Sequence, residues 1–388
     1  MRSVYFDHAA GTPVHPRVVE AMLPYLREVF GNPSSTHSFG QAAHQAVDRA
    51  RGQVAELIGA SSEEIYFTAS GSESNNFALK GMALAAQQLG RGKHLIVSQI
   101  EHHSVLHSAQ FLERQGYEVT YLPVDRYGLV DPDDVAAAMR DDTFLVSIMH
   151  ANNEIGTIEP MAEIGRITRQ RDVVFHSDAV QTVGVVPVDV EELGVDLLSL
   201  AGNMFYGPKG VAALYIRSGV RIMPFIDGGI QERGRRAGTE NVPGIVGLGV
   251  AAELARQEID ERRRRIVPLR DRLIQGLLGS IERIYLNGHP TERLPGNAHF
   301  SLEYVEGEAV IVALDMQGVA AASGSACTSL ALKSSHVLEA IGLSQELAQG
   351  SLLFTLGKDN TEEEVDYVLE VLPPIVARLR QISPLYSK

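Results

Sequence analysis

Four polar clusters in this chain hold the residue types that grip an anionic, planar ligand. Thr68-Ala-Ser-Gly-Ser-Glu-Ser74 lies between a predicted strand and a predicted helix. It offers backbone N–H groups and hydroxyls at a helix N-terminus, a cradle for a phosphate. Standing alone, the same stretch reads equally as a Ser-rich helix cap. The glycine spacings of the P-loop and of the dinucleotide fingerprint are both missing. Glu101-His102-His103-Ser104 opens a helix directly after a strand. His102 can face a ring, bind a metal or cap the helix. Adjacent helical histidines point in different directions and chelate one metal poorly. His150-Ala-Asn-Asn-Glu-Ile-Gly156 and His176-Ser-Asp-Ala-Val-Gln181 each follow a strand, which puts Asn153, Asp178 and Gln181 on the ligand side of a parallel sheet. Asp178 alone could be a helix cap. Taken together, the clusters supply a carboxylate for a protonated ring nitrogen, an amide for a ring hydroxyl, a planar side chain to stack and a phosphate site. Pyridoxal phosphate fits that set, and it normally also requires a lysine that forms an imine.

Cys327 is the only cysteine, so no internal disulfide can form. A lone cysteine is commonly a small buried hydrophobe. Here its neighbours are Ser323-Gly-Ser-Ala and Thr-Ser329, a polar loop rather than an apolar strand, which favours an exposed, reactive thiol. His336 could make a cysteine–histidine hydrolase of it, but no oxyanion or triad pattern accompanies the pair.

The elements that must position these residues alternate along the chain. Strand patterns at 64–68, 94–98, 117–122, 143–149, 173–177, 195–199 and 211–216 are separated by helical patterns at 41–57, 104–114, 132–139 and 161–170. That alternation predicts an α/β fold with a largely parallel sheet between helices. Leu200-Ala-Gly-Asn-Met-Phe-Tyr-Gly-Pro-Lys-Gly210 joins two of the strands through a tight turn that holds Met204 at the sheet edge. A long helical pattern spans about 242–281. Its run Glu261-Arg-Arg-Arg-Arg265 follows Glu258 and Asp260 at helix-pair spacing, and is read as a solvated face rather than a nucleic-acid patch.

At 388 residues the chain is long enough for two domains. A large cofactor-type domain is expected over 15–260. A smaller α+β domain, formed by 1–14 and 261–388, would carry the Cys327 loop. The net charge of −14 argues against nucleic acid and anionic membranes as partners. No run approaches the roughly 20 apolar residues needed to span a bilayer. No apolar leader precedes the first motifs, so a cytoplasmic location is expected.

In this order and spacing the motifs resemble the NifS/IscS-like cysteine desulfurases, class V aminotransferases of PLP fold type I. The resemblance runs over nearly the whole chain. It includes Tyr5-Phe-Asp, Gly31-Asn-Pro-Ser-Ser-Thr-His, Glu73-Ser-Asn-Asn, Asn152-Asn-Glu-Ile-Gly156, Asp178-Ala-Val-Gln181, Tyr206-Gly-Pro-Lys-Gly210, Gly228-Gly-Ile-Gln-Glu-Arg-Gly234, Arg236-Ala-Gly-Thr239 and Ser323-Gly-Ser-Ala-Cys327. It implies that Gly71 and Ser72 hold the phosphate, with Thr239 reaching across from the second subunit of a homodimer. It further implies that His102 stacks on the pyridine, Asp178 pairs with its nitrogen, and Asn153 and Gln181 face its hydroxyl. Cys327 would attack the sulfur of substrate cysteine and pass it, as a persulfide, to an iron–sulfur scaffold protein.

The resemblance also marks departures. Where the family has Ser-Gly-His-Lys, this chain has Ala201-Gly202-Asn203-Met204. The imine-forming lysine is therefore replaced by Met204. The arginine that grips the substrate carboxylate is replaced by Leu353. Lys209 belongs to the family's own turn, and Lys358 lies past Gly357, so neither restores the lost group. Three functions stay open. In the first, Cys327 accepts persulfide from elsewhere or ligates a 2Fe–2S cluster shared with a scaffold, without lysine–PLP turnover. In the second, PLP is held non-covalently and the chain still desulfurates L-cysteine. In the third, the chain is a structural or regulatory pseudoenzyme.

Overall fold

A computed structural model describes residues 3–323, 335–384 and 386. The strands in chain order are β1 (Val4–Tyr5), β2 (Ile65–Thr68), β3 (His94–Ser98), β4 (Glu118–Leu122), β5 (Thr143–Ser147) and β6 (Val174–Asp178). They continue with β7 (Leu197–Ala201), β8 (Ala212–Ile216), β9 (Ile284–Asn287), β10 (Asn297–Leu302), β11 (Val319–Ala320) and β12 (Ser351–Thr355). The main sheet has the order β2-β8-β7-β6-β5-β3-β4. From β7 through β4 its neighbours run parallel, while β8 is antiparallel to both β7 and β2. Strands β2, β3, β5, β7 and β8 are buried along their whole length, as a parallel sheet covered on both faces requires. The α/β architecture is the one the sequence predicts. Its strand boundaries shift by one to two residues because ladder pairing, not hydropathy, sets where each strand stops.

The helices cover the sheet because their apolar positions recur every three to four residues. In the Ser38–Leu57 helix, Ala43, Val47, Ala50, Val54 and Leu57 form one buried stripe. That stripe packs on the 39-residue Val242–Ser280 helix. The crossing is close: a Cβ on Gly249 would come within 2.6 Å of the Ala50 Cα. Burying each large aliphatic side chain here contributes about 1.5–3 kcal/mol. The sheet edge is fastened by a buried ion pair. Arg51 donates from Nη1 and Nη2 to the Glu232 carboxylate at 2.7 and 2.8 Å, and Glu232 also accepts from the Phe67 N–H at 2.8 Å.

A second apolar core holds Val4, Phe6, Leu273, Leu277, Ala298, Phe300, Leu302, Leu352, Phe354 and Leu372. It lies beneath the antiparallel sheet β12-β10-β9. Residues Gly307–Asp315, one of the short apolar runs of the C-terminal region, are helical. The arginine run departs from its expected place in part: Glu261, Arg264 and Arg265 are exposed as expected, and the next two arginines after Glu261 are not. Arg262 is only 8% exposed and Arg263 is half-buried, because the long helix turns this part of its surface towards β10 and the Met204 turn. No helix among the described residues is long and apolar enough to cross a membrane.

Candidate functional site

The parallel strands deliver their carboxyl ends to one cleft. Its cavity of about 380 Å³ is lined by Ser70, Gly71, Ser72, Asn75, His102, Asn153, Asp178, Gln181, Asn203, Met204 and Leu353, among others. Four of the expected cofactor residues, His102, Asn153, Asp178 and Gln181, thus line one cleft with the two phosphate-cradle residues. Asp178 ends β6 and is 6% exposed. Its Oδ1 accepts from the Val180 N–H at 3.0 Å and its Oδ2 from Asn75 Nδ2 at 2.6 Å. The same Asn75 amide donates to Ser104 Oγ at 2.8 Å, and Ser104 Oγ lies 2.7 Å from His102 Nδ1. The Ser104 N–H also donates to His102 Nδ1 at 3.2 Å. That bond makes Nδ1 the acceptor and leaves the ring proton on Nε2. A continuous chain of polar contacts therefore fixes the carboxylate and the imidazole relative to each other.

The cradle forms at the start of the Gly71–Leu89 helix. Ser70 is the N-cap, its Oγ accepting from the Glu73 N–H at 3.1 Å. The first-turn N–H groups of Gly71 and Ser72 have no intrahelical partner, as helix geometry dictates, and carry the positive end of the helix dipole. A Cβ at Gly71 would lie 2.6 Å from Val180 Cγ2, so only glycine lets the helix start sit against the loop that follows Asp178. Gln181 donates to the Ala9 carbonyl at 3.2 Å, with the Met204 sulfur 3.8 Å away.

Met204 closes a single 3₁₀ turn, Gly202–Met204, between β7 and β8. The turn is held from several sides. Thr12 donates from its N–H to the Asn203 carbonyl at 2.9 Å, and its Oγ accepts from the Tyr206 N–H at 2.8 Å. Tyr206 takes the left-handed conformation (φ 71°), which a non-glycine residue adopts only when its surroundings impose it. Its hydroxyl accepts from the Lys358 N–H at 2.7 Å. The rigid turn expected from the sequence is therefore present, with a thioether at its tip. Lys209 is exposed, and neither Lys209 nor Lys358 lines the cleft. Leu353, in β12 opposite His299, is 3% exposed and puts an alkyl group on the cleft wall.

Thr239 is exposed and apart from the cleft within this chain. Cys327 lies outside the described residues. The chain flanking it is anchored at the site: Ala322 lines the cleft and bridges Leu353, and Ser323 accepts at its carbonyl from Ser351 Oγ at 2.7 Å. On the far side Ser335 Oγ donates to Glu154 at 2.5 Å, and His336 Nε2 contacts the Glu101 carbonyl at 3.0 Å. No group of acidic residues, histidines and cysteines among the described residues is arranged to hold a metal ion.

Sequence reasoning missed Asn75, Ser104 and Glu101 as parts of the site. Asn75 stands within Glu73-Ser-Asn-Asn76, but only the fold reveals that it bridges Asp178 and Ser104. Glu101 is fully buried under the cleft, accepting from Ser98 Oγ at 2.7 Å and the Met149 N–H at 2.8 Å. Burial pushes its carboxyl up to about 8, and the nearby Asp178 charge adds to the rise, against the lowering effect of those two bonds.

Chemically, the cleft offers a carboxylate, an imidazole, amides and a helix N-terminus around a cavity of about 380 Å³. These residues fit pyridoxal phosphate. They offer no amine for an imine and no cation at Leu353.

Comparison with known proteins agrees with this reading. The aminotransferase class-V family model matches residues 4–368. A cysteine desulfurase IscS of Methanosarcina thermophila is 56% identical over 387 residues, covering 100% of this chain and 95% of that protein. One from Dictyoglomus turgidum is 55% identical, covering 99% and 97%. Among solved structures, a NifS-like protein superposes with a TM-score of 0.91 at 39% identity, covering 97% of this chain and all of the other. A structure described as SspA in complex with cysteine gives 0.82 at 36% identity, covering 92% of this chain and 100% of that one. The chain belongs to the class V aminotransferase family, among relatives named cysteine desulfurase IscS.

Proposed function

We propose that this chain is a cysteine desulfurase of iron–sulfur cluster assembly that holds pyridoxal phosphate non-covalently. The reaction would turn L-cysteine and the Cys327 thiol into L-alanine and a Cys327 persulfide. The observation that supports this most is the intact pairing of Asp178 with the Asn75–Ser104–His102 chain, in the cleft that the Gly71–Ser72 cradle also lines. When bound, pyridoxal phosphate supplies an electron sink for an amino acid. The chain's residues do the rest. Gly71 and Ser72 bind the phosphate through their N–H groups, and Asp178 holds the ring-nitrogen proton. Asn153 and Gln181 orient the ring hydroxyl. His102 covers one face of the ring and keeps its proton on Nε2. With methionine at 204, no lysine shuttles protons, and losing such a positioned group lowers rate roughly 10²–10⁴-fold.

Met204 and Leu353 support a second reading, in which Cys327 receives persulfide from another protein or ligates a 2Fe–2S cluster together with a scaffold. Both readings make the chain a homodimer, with Thr239 completing the phosphate site of the partner subunit. The remaining parts of the proposal are a cytoplasmic location, a large domain over 15–260, and a small domain of 1–14 and 261–388.

The readings separate in one assay. Protein supplied with pyridoxal phosphate and L-cysteine is followed for alanine and sulfide. Product above that of a Cys327→Ala control supports the desulfurase. Its absence, together with cluster assembly on a scaffold that fails in Cys327→Ser, supports the second reading.

A further inference from the structure

Behind Met204 lies a second chamber, of about 70 Å³, which shares Asn153, Gln181 and Met204 with the cofactor cleft but opens onto different chemistry. By the usual allowance of ~10–15 Å³ per water, it holds roughly five water-sized groups. Its apolar wall is Val185, Ile266, Leu294, Pro295 and Leu356. Four residues on its lining carry a buried polar atom with no hydrogen-bond partner among the described residues: Arg262 Nη1, Arg263 Nε, Asn297 Oδ1 and His8 Nδ1. Native interiors leave few such atoms without partners, so several around one cavity call for a ligand.

For Arg262 and Asn297 the role of the orphan atom is fixed by what the rest of the side chain does. Arg262 is 8% exposed and spends Nε and Nη2 on Glu258 Oε2, at 3.1 and 2.8 Å, with its guanidinium over the Tyr206 ring. Nη1 remains as a charged donor. Arg263 adds a second donor from the next position of the helix. Asn297 is 2% exposed, and its Nδ2 donates to the Glu154 carbonyl at 2.9 Å, which leaves Oδ1 as an acceptor. Burial pushes His8 down to about 4, against the raising effect of its hydrogen bonds to the Asn360 side chain and the Tyr5 backbone; the ring is neutral near pH 7, and the nitrogen without the proton can accept. The chamber thus pairs two cationic donors with two neutral acceptors, beside an aliphatic wall.

The geometry points to a binding site for a small zwitterionic α-amino acid. Its carboxylate lies on Arg262 and Arg263, its ammonium on Asn297 and His8, and its short side chain against Ile266 and Leu356. A simple anion would leave both acceptors unpaired, and a bulky amino acid would not fit. The assignment is independent of whether pyridoxal phosphate is turned over, because none of these four residues touches the cofactor cleft.

Calorimetric titration with L-alanine tests it. One saturable site is expected, weakened about 10- to 100-fold in Arg262→Gln and in Arg263→Gln by loss of a charge-assisted bond, and abolished by Ile266→Phe, which fills the chamber. Binding should persist in Asp178→Asn, which damages only the cofactor cleft. Propionate, lacking the ammonium, should bind at least about tenfold more weakly. Should Arg262→Gln fail to fold, Arg263→Gln and Ile266→Phe decide the matter. The proposal is overturned if L-alanine gives no saturable heat, or if the folded chamber variants bind it as the parent does. It is equally overturned if Asp178→Asn alone removes binding, or if propionate binds as tightly as alanine.

Discussion

Asp178 and Met204 face the same cleft with opposite consequences. Asp178 is a carboxylate pre-positioned by two hydrogen bonds, and its removal should be felt by the cofactor. Asp178→Asn is expected to weaken pyridoxal phosphate binding by about 1.5–3 kcal/mol, the worth of a charge-assisted bond; absorbance titration of the cofactor measures it. Met204 offers only a thioether. In Met204→Lys the turn already fixes the side chain at the cleft, so borohydride should trap the cofactor covalently, while the parent protein should release it on denaturation. Intact mass distinguishes the two, and trapping in the parent would refute the non-covalent reading. Glu101 is expected to mark stability with pH. Its folded pKa of about 8 lies above its ordinary value of 4.5. Between those pH values the unfolded chain has lost a proton that the folded chain keeps. Stability therefore falls as pH rises from about 4.5 to 8 and levels off above. Glu101→Gln should flatten that slope in melting curves collected across the range. The side-chain types at Asp178, His102 and Ser72 were legible in sequence, because each follows a strand. Asn75 and Ser104 were not, because a bridging role depends on which two helix starts the fold brings together.

The start of the Gly71–Leu89 helix carries the site's precision, and the 228–239 segment braces it from outside the cleft, Arg236 pairing with Glu73 at 2.8 Å. Gly71 sits where a Cβ would meet Val180. Gly71→Val should force the helix start away from the loop after Asp178, at a cost of about 1–3 kcal/mol for overpacking, and should weaken phosphate binding. Chemical denaturation and cofactor titration read the two effects separately. The 228–239 segment is tied to the Ser38–Leu57 helix through Arg51 and Glu232. Removing one partner of a buried pair typically costs about 3–5 kcal/mol, so Arg51→Ala should lower the denaturation midpoint more than any surface arginine does. Arg262 and Arg263 show where element-level reading fails, while Arg264 and Arg265 are exposed as that reading expects. Charge spacing on a helix predicts pairing, and Arg262 does pair with Glu258. Which side of a long helix meets solvent depends on the elements that pack across it, and here β10 and the Met204 turn cover it.

At the scale of the whole molecule, Leu26, Phe30 and Phe39 remain exposed, and the rings of Phe30 and Phe39 stand 5.7 Å apart. A cluster of this kind on a monomer marks an association face. The proposed homodimer predicts sedimentation at twice the chain mass, shifted to the single-chain mass by Phe30→Asp with Phe39→Asp. A single-chain mass for the parent would remove the route by which Thr239 reaches a cofactor. The sequence by itself determined the α/β alternation, the turn at 200–210 and the chemistry absent from it, because periodicity and side-chain identity are local properties. It also carried the family membership, which rests on motifs in order. Only the tertiary structure decided that residues more than a hundred positions apart form one hydrogen-bonded chain from Asp178 to His102, and that two cationic side chains of a charged helix turn inward behind Met204. Both outcomes depend on long-range packing, which sets the neighbours of a side chain without changing its spacing along the chain.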